Sequence, residues 1–209
     1  MVEAIDDGVG HIMETLRKNG LEENTLVIFF SDNGGVAGFA NNGVLRLGKS
    51  WLYEGGIREN LIARWPKVIK PGSMSNAAVC GIDFYPTFIE MAGVKNKPGN
   101  IIDGKSILNV FKGKKWSRKA GLFWHYPSET GKWVQRMSSA VRQGNFKLLY
   151  FYADERTELY DLSKDPSEEH NITATHPEKV KQLSTALRRW KQEVNAETPE
   201  VKINRKKKG

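Results

Sequence analysis

One segment constrains the fold of this chain more than any other: Leu26-Val27-Ile28-Phe29-Phe30, followed without a break by Ser31-Asp32-Asn33-Gly34-Gly35. A run with no polar alternation needs cover on both faces, the habit of a central strand in a parallel sheet flanked by helices. The polar glycine turn then falls at the strand's carboxyl end, where open α/β sheets bind ligands. Upstream, Val2, Ile5, Val9, Ile12, Met13 and Leu16 share one helical face, and Gly20 supplies a left-handed stop. The first part therefore reads as α/β, with parallel strands expected on both sides of the central run.

Residues 36 to 58 are rich in glycine and asparagine and predict a long loop. Such length in a compact domain points to function or to disorder. Residues 60 to 66 predict a second buried strand stopped by Pro66, residues 77 to 82 a short strand, and residues 83 to 91 a short helix ending near Gly93. The second half changes character. Residues 121–126, 138–142 and 146–152 predict strands, with Gln143-Gly144-Asn145 as a hairpin turn, and residues 158–162 predict a fourth. Thr175 and Glu178 have capping-box spacing with Pro177 in the first turn. The helix they open places Val180, Leu183, Leu187, Trp190 and Val194 on one face.

Composition narrows the function classes. An apolar fraction of 39% over 209 residues excludes a disordered or collagen-like chain. A single cysteine, Cys80, excludes an internal disulfide framework and a cysteine-only zinc site, and reads as a packed structural residue. No apolar run approaches the roughly 20 residues of a membrane span. Met1 leads straight into an acidic helical pattern rather than a signal-peptide pattern. The net charge is +8, but residues 202–209 carry five positive charges and no negative ones, so the excess reads as a solvated basic tail and not as a nucleic-acid surface.

A few residues have the chemistry of a site. Asp32 and Asn33 offer two adjacent hard oxygens, suited to Ca²⁺ or Mg²⁺ and not to zinc, although Ser-Asp-Asn-Gly equally favours a plain Asx turn. Lys49, between Gly48 and Ser50, is a compact cation that suits an anionic oxygen or a solvated loop. Arg58 can support the same anion or pair with Glu54. His125, near a strand end, reads as a cleft residue or a packed edge histidine. Trp51 and Trp133 fall on loops and can line a cleft, while Trp65, Trp124 and Trp190 fall on core positions. Asn171-Ile172-Thr173 fits a glycosylation sequon.

An ordered series of segments resembles the sulfatase family of the alkaline phosphatase superfamily. It runs through Val9-Gly10, Asn24-Thr25-Leu26-Val27-Ile28, Ser31-Asp32-Asn33-Gly34-Gly35, Gly48-Lys49 and Glu54-Gly55-Gly56-Ile57-Arg58. It continues through Ala63-Arg64-Trp65-Pro66, Asp83-Phe84-Tyr85-Pro86-Thr87, Asp103-Gly104-Lys105, Glu158-Leu159-Tyr160-Asp161-Leu162, Asp165-Pro166 and Glu168. The resemblance implies a partial sulfatase-like α/β sandwich over residues 1–115, a small antiparallel sheet with a packed helix over 116–198, and a disordered basic tail over 199–209. It further implies that Asp32 and Asn33 are ligands of a divalent cation, Ca²⁺ in most of the family, and that Lys49 contacts the sulfate. Arg58, His125 and Trp51 are weaker candidates for substrate contact. Relatives with a zinc pair tend to carry His where this chain has Asn33.

The family's C/S-x-P-x-R segment, whose Cys or Ser becomes the formylglycine nucleophile, does not occur in this sequence. The implied reading is the C-terminal portion of a sulfuric ester hydrolase, from a truncated gene, a split gene or an incomplete gene model. Such a chain is expected to lack the neighbours of its central strand, leaving open edges and uncovered apolar faces, to be poorly stable or need a complementing N-terminal fragment, to bind metal weakly, and to lack turnover alone. Its implied partner is a sulfated small molecule or glycan, and its parent protein is expected to be exported. The alternatives are a non-catalytic remnant that binds sulfated glycan or a partner protein, and a phosphodiesterase or phosphonate hydrolase on the same scaffold.

Overall fold

The computed structural model describes residues 2–97, 99–128, 131–197 and 199. The expected disorder of the basic tail therefore lies outside the described residues. In chain order the elements are α1 (Val2–Lys18), β1 (Val27–Phe30), α2 (Glu54–Ile57), β2 (Leu61–Arg64), α3 (Phe84–Met91), α4 (Leu108–Phe111), β3 (Leu122–Tyr126), β4 (Ser138–Gln143), β5 (Phe146–Phe151), β6 (Thr157–Asp161) and α5 (Pro177–Glu193). They fall into two compact units, Met1–Asp32 with Asn60–Arg118, and Asn33–Glu59 with Lys119–Gly209.

In the first unit α1 ends as its sequence dictates. Gly20 takes φ 66°, and the Gly20 and Leu21 amides donate to the carbonyls of Arg17 and Leu16. The apolar stripe of α1 is uncovered: none of its residues is buried, and Ile5 and Ile12 are 52% and 56% exposed. β1 corrects the expectation of parallel neighbours. Among the described residues it pairs only with β2, and antiparallel, Val27 opposite Arg64 and Phe30 opposite Leu61. An apolar run specifies cover on its faces, not the direction of its neighbour. Phe29 and Phe30 remain exposed.

The strand expected over 77–82 does not form. Cys80 instead opens a 3₁₀ turn, Gly81–Asp83, because a buried carboxylate takes the local amides. Asp83 accepts from the backbone N–H groups of Cys80 at 2.9 Å and Lys105 at 2.8 Å, and from the Arg118 guanidinium. Thr87, on α3, donates to the Asp83 carbonyl at 2.6 Å and accepts from the Ile107 amide at 2.9 Å, so α3 is tied to the segment before α4. Cys80 is half-buried, and burial holds its thiol pKa above the usual value.

The second unit is built on the antiparallel sheet β3-β4-β5-β6. Gly144, at φ 60°, supplies the left-handed corner of the β4–β5 hairpin, as its sequence predicts. Strand alternation gives the sheet two working faces. One carries Val141, Leu148 and Leu159 against Leu183 and Leu187 of α5. The other carries Ala140, Leu149, Phe151 and Tyr160 against Leu52 and Tyr53 of the long loop. Two details of α5 differ from the sequence reading. His176, not Thr175, is the N-cap residue, and no side chain caps the helix. Thr175 instead donates to the Ile172 carbonyl at 3.1 Å, a local bond that competes with capping. Val194 is exposed because the helix ends one residue before it. Asn171, the sequon residue, accepts from the Leu159 amide at 3.1 Å, so its side chain serves the β6 edge.

Candidate active site

The loop from Asn33 to Glu59 is not loose. Its backbone is folded on itself at glycines where no side chain fits. A Cβ on Gly34 would lie 1.8 Å from the Gly55 carbonyl oxygen, and one on Gly48 would lie 2.2 Å from that of Gly35. This close approach lets the Gly34 amide donate to the Gly56 carbonyl and the Lys49 amide to the Gly35 carbonyl, both at 3.0 Å. Asn42 clamps the same turn. Its side-chain oxygen accepts from the Gly35 amide at 3.1 Å, and its nitrogen donates to the carbonyls of Gly35 and Leu47. Leu47 and Ser50, on either side of Gly48-Lys49, take φ values of 58° and 71°, a strained conformation for side-chain-bearing residues.

Two sets of side chains hold this loop to the sheet. The first is charged and dry. Lys147 of β5 and Glu168 have no exposed surface, and Glu54 is 1% exposed. The Lys147 ammonium lies 2.9 Å from Glu54 Oε1 and 2.9 Å from Glu168 Oε1. The Glu54 amide donates to Glu168 Oε2 at 2.6 Å, while Arg58 and Arg142 lie 3.6 and 3.7 Å from Glu54 Oε2. Burial raises the Glu168 pKa above its ordinary value, with Lys147 acting against that shift.

The second set centres on Glu158 of β6. It accepts from the hydroxyls of Tyr53 at 2.7 Å and Tyr160 at 2.9 Å, and from Arg156 at 2.8 Å. Burial, and then the bond to this carboxylate, hold both phenols well above the ordinary tyrosine pKa. Arg46 lies over the Tyr53 ring, 4.1 Å from its centroid, and donates to the Tyr160 hydroxyl and the Glu168 carbonyl. Sequence reasoning used Glu158, Tyr160 and Glu168 only as marks of resemblance. Nothing in the sequence marks them as anchors, because their burial appears only with the tertiary structure.

What these anchors present is Lys49. Its backbone is fixed, its side chain is exposed, and its ammonium has no ion pair among the described residues. Asp32 is also exposed, at the end of the first unit, and Asn33 opens the second. Arg58 takes the second of the two roles open to it in the sequence, pairing with Glu54. The Trp51 ring packs on the loop-side core 6.0 Å from the Tyr53 ring. His125 lies on the sheet face that packs α5, opposite the face that packs the loop. The structure thus joins Lys49, Arg58 and Trp51 in one loop and sets His125 apart from them.

The residues present test poorly as a complete cation site. Asp32 and Asn33 are of the right kind, hard oxygens. Ca²⁺ takes about 6 to 8 of them. No group of three or more His, Cys, Asp or Glu side chains suited to a metal occurs among the described residues.

Comparison with known proteins gives a consistent result. Residues 46–196 match the family described as N-sulphoglucosamine sulphohydrolase, C-terminal. A sulfatase of Formosa agariphila is 39% identical over 221 residues, covering 94% of this chain and 40% of the relative. An N-acetylglucosamine-6-O-sulfatase of Bacteroides thetaiotaomicron is 32% identical, covering 96% of this chain and 36% of the relative. A solved structure of a protein in complex with its substrate, D-glucosamine-2-N,6-O-disulfate, superposes with a TM-score of 0.76 at 31% identity, over 97% of this chain and 41% of that one. The chain thus spans about two fifths of the length of these relatives.

Proposed function

Because the chain belongs to the sulfatase family, whose members are sulfuric ester hydrolases, we propose that it supplies the lysine and part of the cation site of a sulfate ester hydrolase. The observation that carries this reading is the exposed ammonium of Lys49, without an ion pair among the described residues, on a backbone locked by glycine contacts and buried ion pairs. A fixed cation aimed at sulfate oxygens stabilises the charge that grows on them as the S–O bond to the leaving group breaks. Asp32 and Asn33 would give two of the oxygens of a Ca²⁺ site whose other ligands would come from the complementing segment, and no step is assigned to the ion. Trp51 and Arg58 share the loop of the lysine, Arg58 paired with Glu54, and would shape the approach of the substrate from there; His125 does not take part in this reading.

The substrate class is a sulfated saccharide, in keeping with the relatives solved with a disulfated glucosamine and with neocarrahexaose. The sequence contains no C/S-x-P-x-R segment, so the nucleophile is to come from a complementing N-terminal segment. The uncovered stripe of α1 and the exposed Phe29 and Phe30 support docking of such a segment. The parent protein would be exported. No described helix is long and apolar enough to cross a membrane.

The test is hydrolysis of an aryl sulfate by the chain alone, and by the chain co-expressed with the N-terminal part of the Formosa relative, in Ca²⁺. No turnover is expected alone. Turnover is expected in the mixture, falling at least roughly a hundredfold with Lys49→Ala, the scale set by loss of one fixed charge-stabilising donor. Full activity of the mixture with Lys49→Ala contradicts the assigned role.

A further inference from the structure

On the α5 face of the sheet, two adjacent rows of side chains run across all four strands. The first is Phe123, Val141, Leu148 and Leu159, in direct register and wholly apolar. The second is His125, Ser139, Tyr150 and Thr157, also in direct register, and every member is polar. Leu183 and Leu187 of α5 cover the first row. Over Ser139, Tyr150 and Thr157 of the second row there is a cavity of about 600 Å³, edged by Leu148 and Leu187, and α5 contributes Ser184, Arg188 and Lys191 to its walls. A row of polar side chains beside a core that needed apolar ones is a cost in packing, and it calls for a ligand or water.

The polar row is prearranged. His125 Nε2 lies 2.8 Å from the Glu197 carbonyl, so that nitrogen carries the proton and Nδ1 is the acceptor. The Ser139 hydroxyl, 2.7 Å away, donates to Nδ1. The Tyr152 hydroxyl then donates to Ser139, and the Lys191 ammonium donates to Tyr152 at 2.7 Å. This chain of bonds holds Lys191 with two of its three donors unused. No hydrogen bond or ion pair joins the Arg188 guanidinium or the hydroxyls of Ser184 and Thr157 to another side chain among the described residues, while burial and then the nearby Glu155 carboxylate raise the pKa of the Tyr150 hydroxyl. The lining holds two cations and no carboxylate. A ligand for it must bring oxyanion acceptors to Arg188 and Lys191 and further oxygens to the hydroxyls. The volume exceeds that of a bare sulfate or phosphate and falls within the range of small-molecule sites, about 300–1,000 Å³.

We infer that this cavity binds an anionic saccharide, a sugar unit carrying a sulfate or phosphate ester. The inference stands whether or not the chain takes part in sulfate ester hydrolysis, since Lys49 belongs to the loop packed on the sheet's other face.

Calorimetric titration of the whole chain tests it with four probes: N-acetylglucosamine 6-sulfate, glucose 6-phosphate, uncharged N-acetylglucosamine, and inorganic sulfate. One or both charged sugars bind, and which one does identifies the ester. Uncharged sugar and inorganic sulfate bind about tenfold more weakly or not at all, the scale of one lost charge-assisted contact. Arg188→Ala, at an exposed position with no partner to strand, weakens the charged sugar about tenfold with an unchanged melting temperature. Ser184→Phe, which fills the cavity, abolishes binding, and Lys49→Ala leaves it intact. The inference is overturned if no charged sugar binds, if inorganic sulfate binds as tightly as the sugar ester, if Arg188→Ala and Ser184→Phe change nothing, or if Lys49→Ala abolishes binding.

Discussion

Two helices of seventeen residues each, α1 and α5, carry the same kind of amphipathic stripe and meet different fates. α5 buries Leu183 and Leu187 against Val141, Leu148 and Leu159, and stacks Trp190 on Phe123 at 5.1 Å. α1 buries nothing, and in the same unit β1 leaves Phe29 and Phe30 exposed where its apolar run asked for cover on both faces. A periodic stripe therefore states a demand for burial; only the tertiary structure states whether it is met. The second unit meets its demands, down to a lysine and two glutamates with almost no exposed surface. The first does so around Asp83 but not around α1.

Substitutions sharpen that contrast. The largest effect is expected from Lys147→Ala, which leaves the buried carboxylates of Glu54 and Glu168 facing one another. Removing one member of a buried ion cluster costs about 3–5 kcal/mol, read by urea denaturation of the second unit. Leu183→Ala comes next, at about 2–5 kcal/mol for a fully buried leucine. A loss below about 0.5 kcal/mol at either position would show that the second unit is not the packed region described.

Asp165→Asn acts more weakly and with a signature in pH. Burial alone would raise the Asp165 pKa, but the amides of His170 and Glu169 and the Ser167 hydroxyl outweigh it, and the value lies below the ordinary 3.8. A carboxylate with a depressed folded-state pKa adds stability that is full above the unfolded value and is lost as pH falls through the folded one. The parent chain should therefore lose stability below about pH 4 more steeply than the Asn variant, in thermal melts from pH 3 to 7. The smallest effect belongs to α1. Ile12→Ala should change stability by less than about 0.5 kcal/mol, since the side chain is already half in water. A loss of the size seen for Leu183→Ala would mean that α1 is covered in solution.

Much of this was legible in the sequence. The four strands of the second unit, the Gly144 hairpin, the Gly20 stop and the α3 helix follow from alternation, turn residues and periodicity. The rest was not. Strand direction was misread at β1, because an apolar run looks the same beside a parallel or an antiparallel neighbour. The strand expected over 77–82 yielded to Asp83, which takes the Cys80 amide locally and the Lys105 amide from 22 residues away, a contact that leaves no local pattern. The anchors of the Lys49 loop were hidden because only tertiary contacts bury Lys147, Glu158 and Glu168. The row of His125, Ser139, Tyr150 and Thr157 likewise needs the register of four strands before it exists. For the candidate site, Lys49, Asp32 and Asn33 were visible as chemistry, whereas Asn42, which fixes the turn between Gly35 and Leu47, was read only as loop.

Hydrogen exchange, followed peptide by peptide on the intact chain, tests the central contrast most directly. The account predicts strong protection of β4, β5 and α5 and of the amides of Gly34, Lys49 and Gly55 in the anchored loop. It predicts exchange in α1 faster by on the order of a hundredfold or more, as expected where few apolar contacts oppose local opening. Addition of the N-terminal part of the Formosa relative should slow α1 and leave α5 unchanged. Equal protection of α1 and α5 in the chain alone, or a loop from 34 to 58 that exchanges as fast as α1, would contradict it.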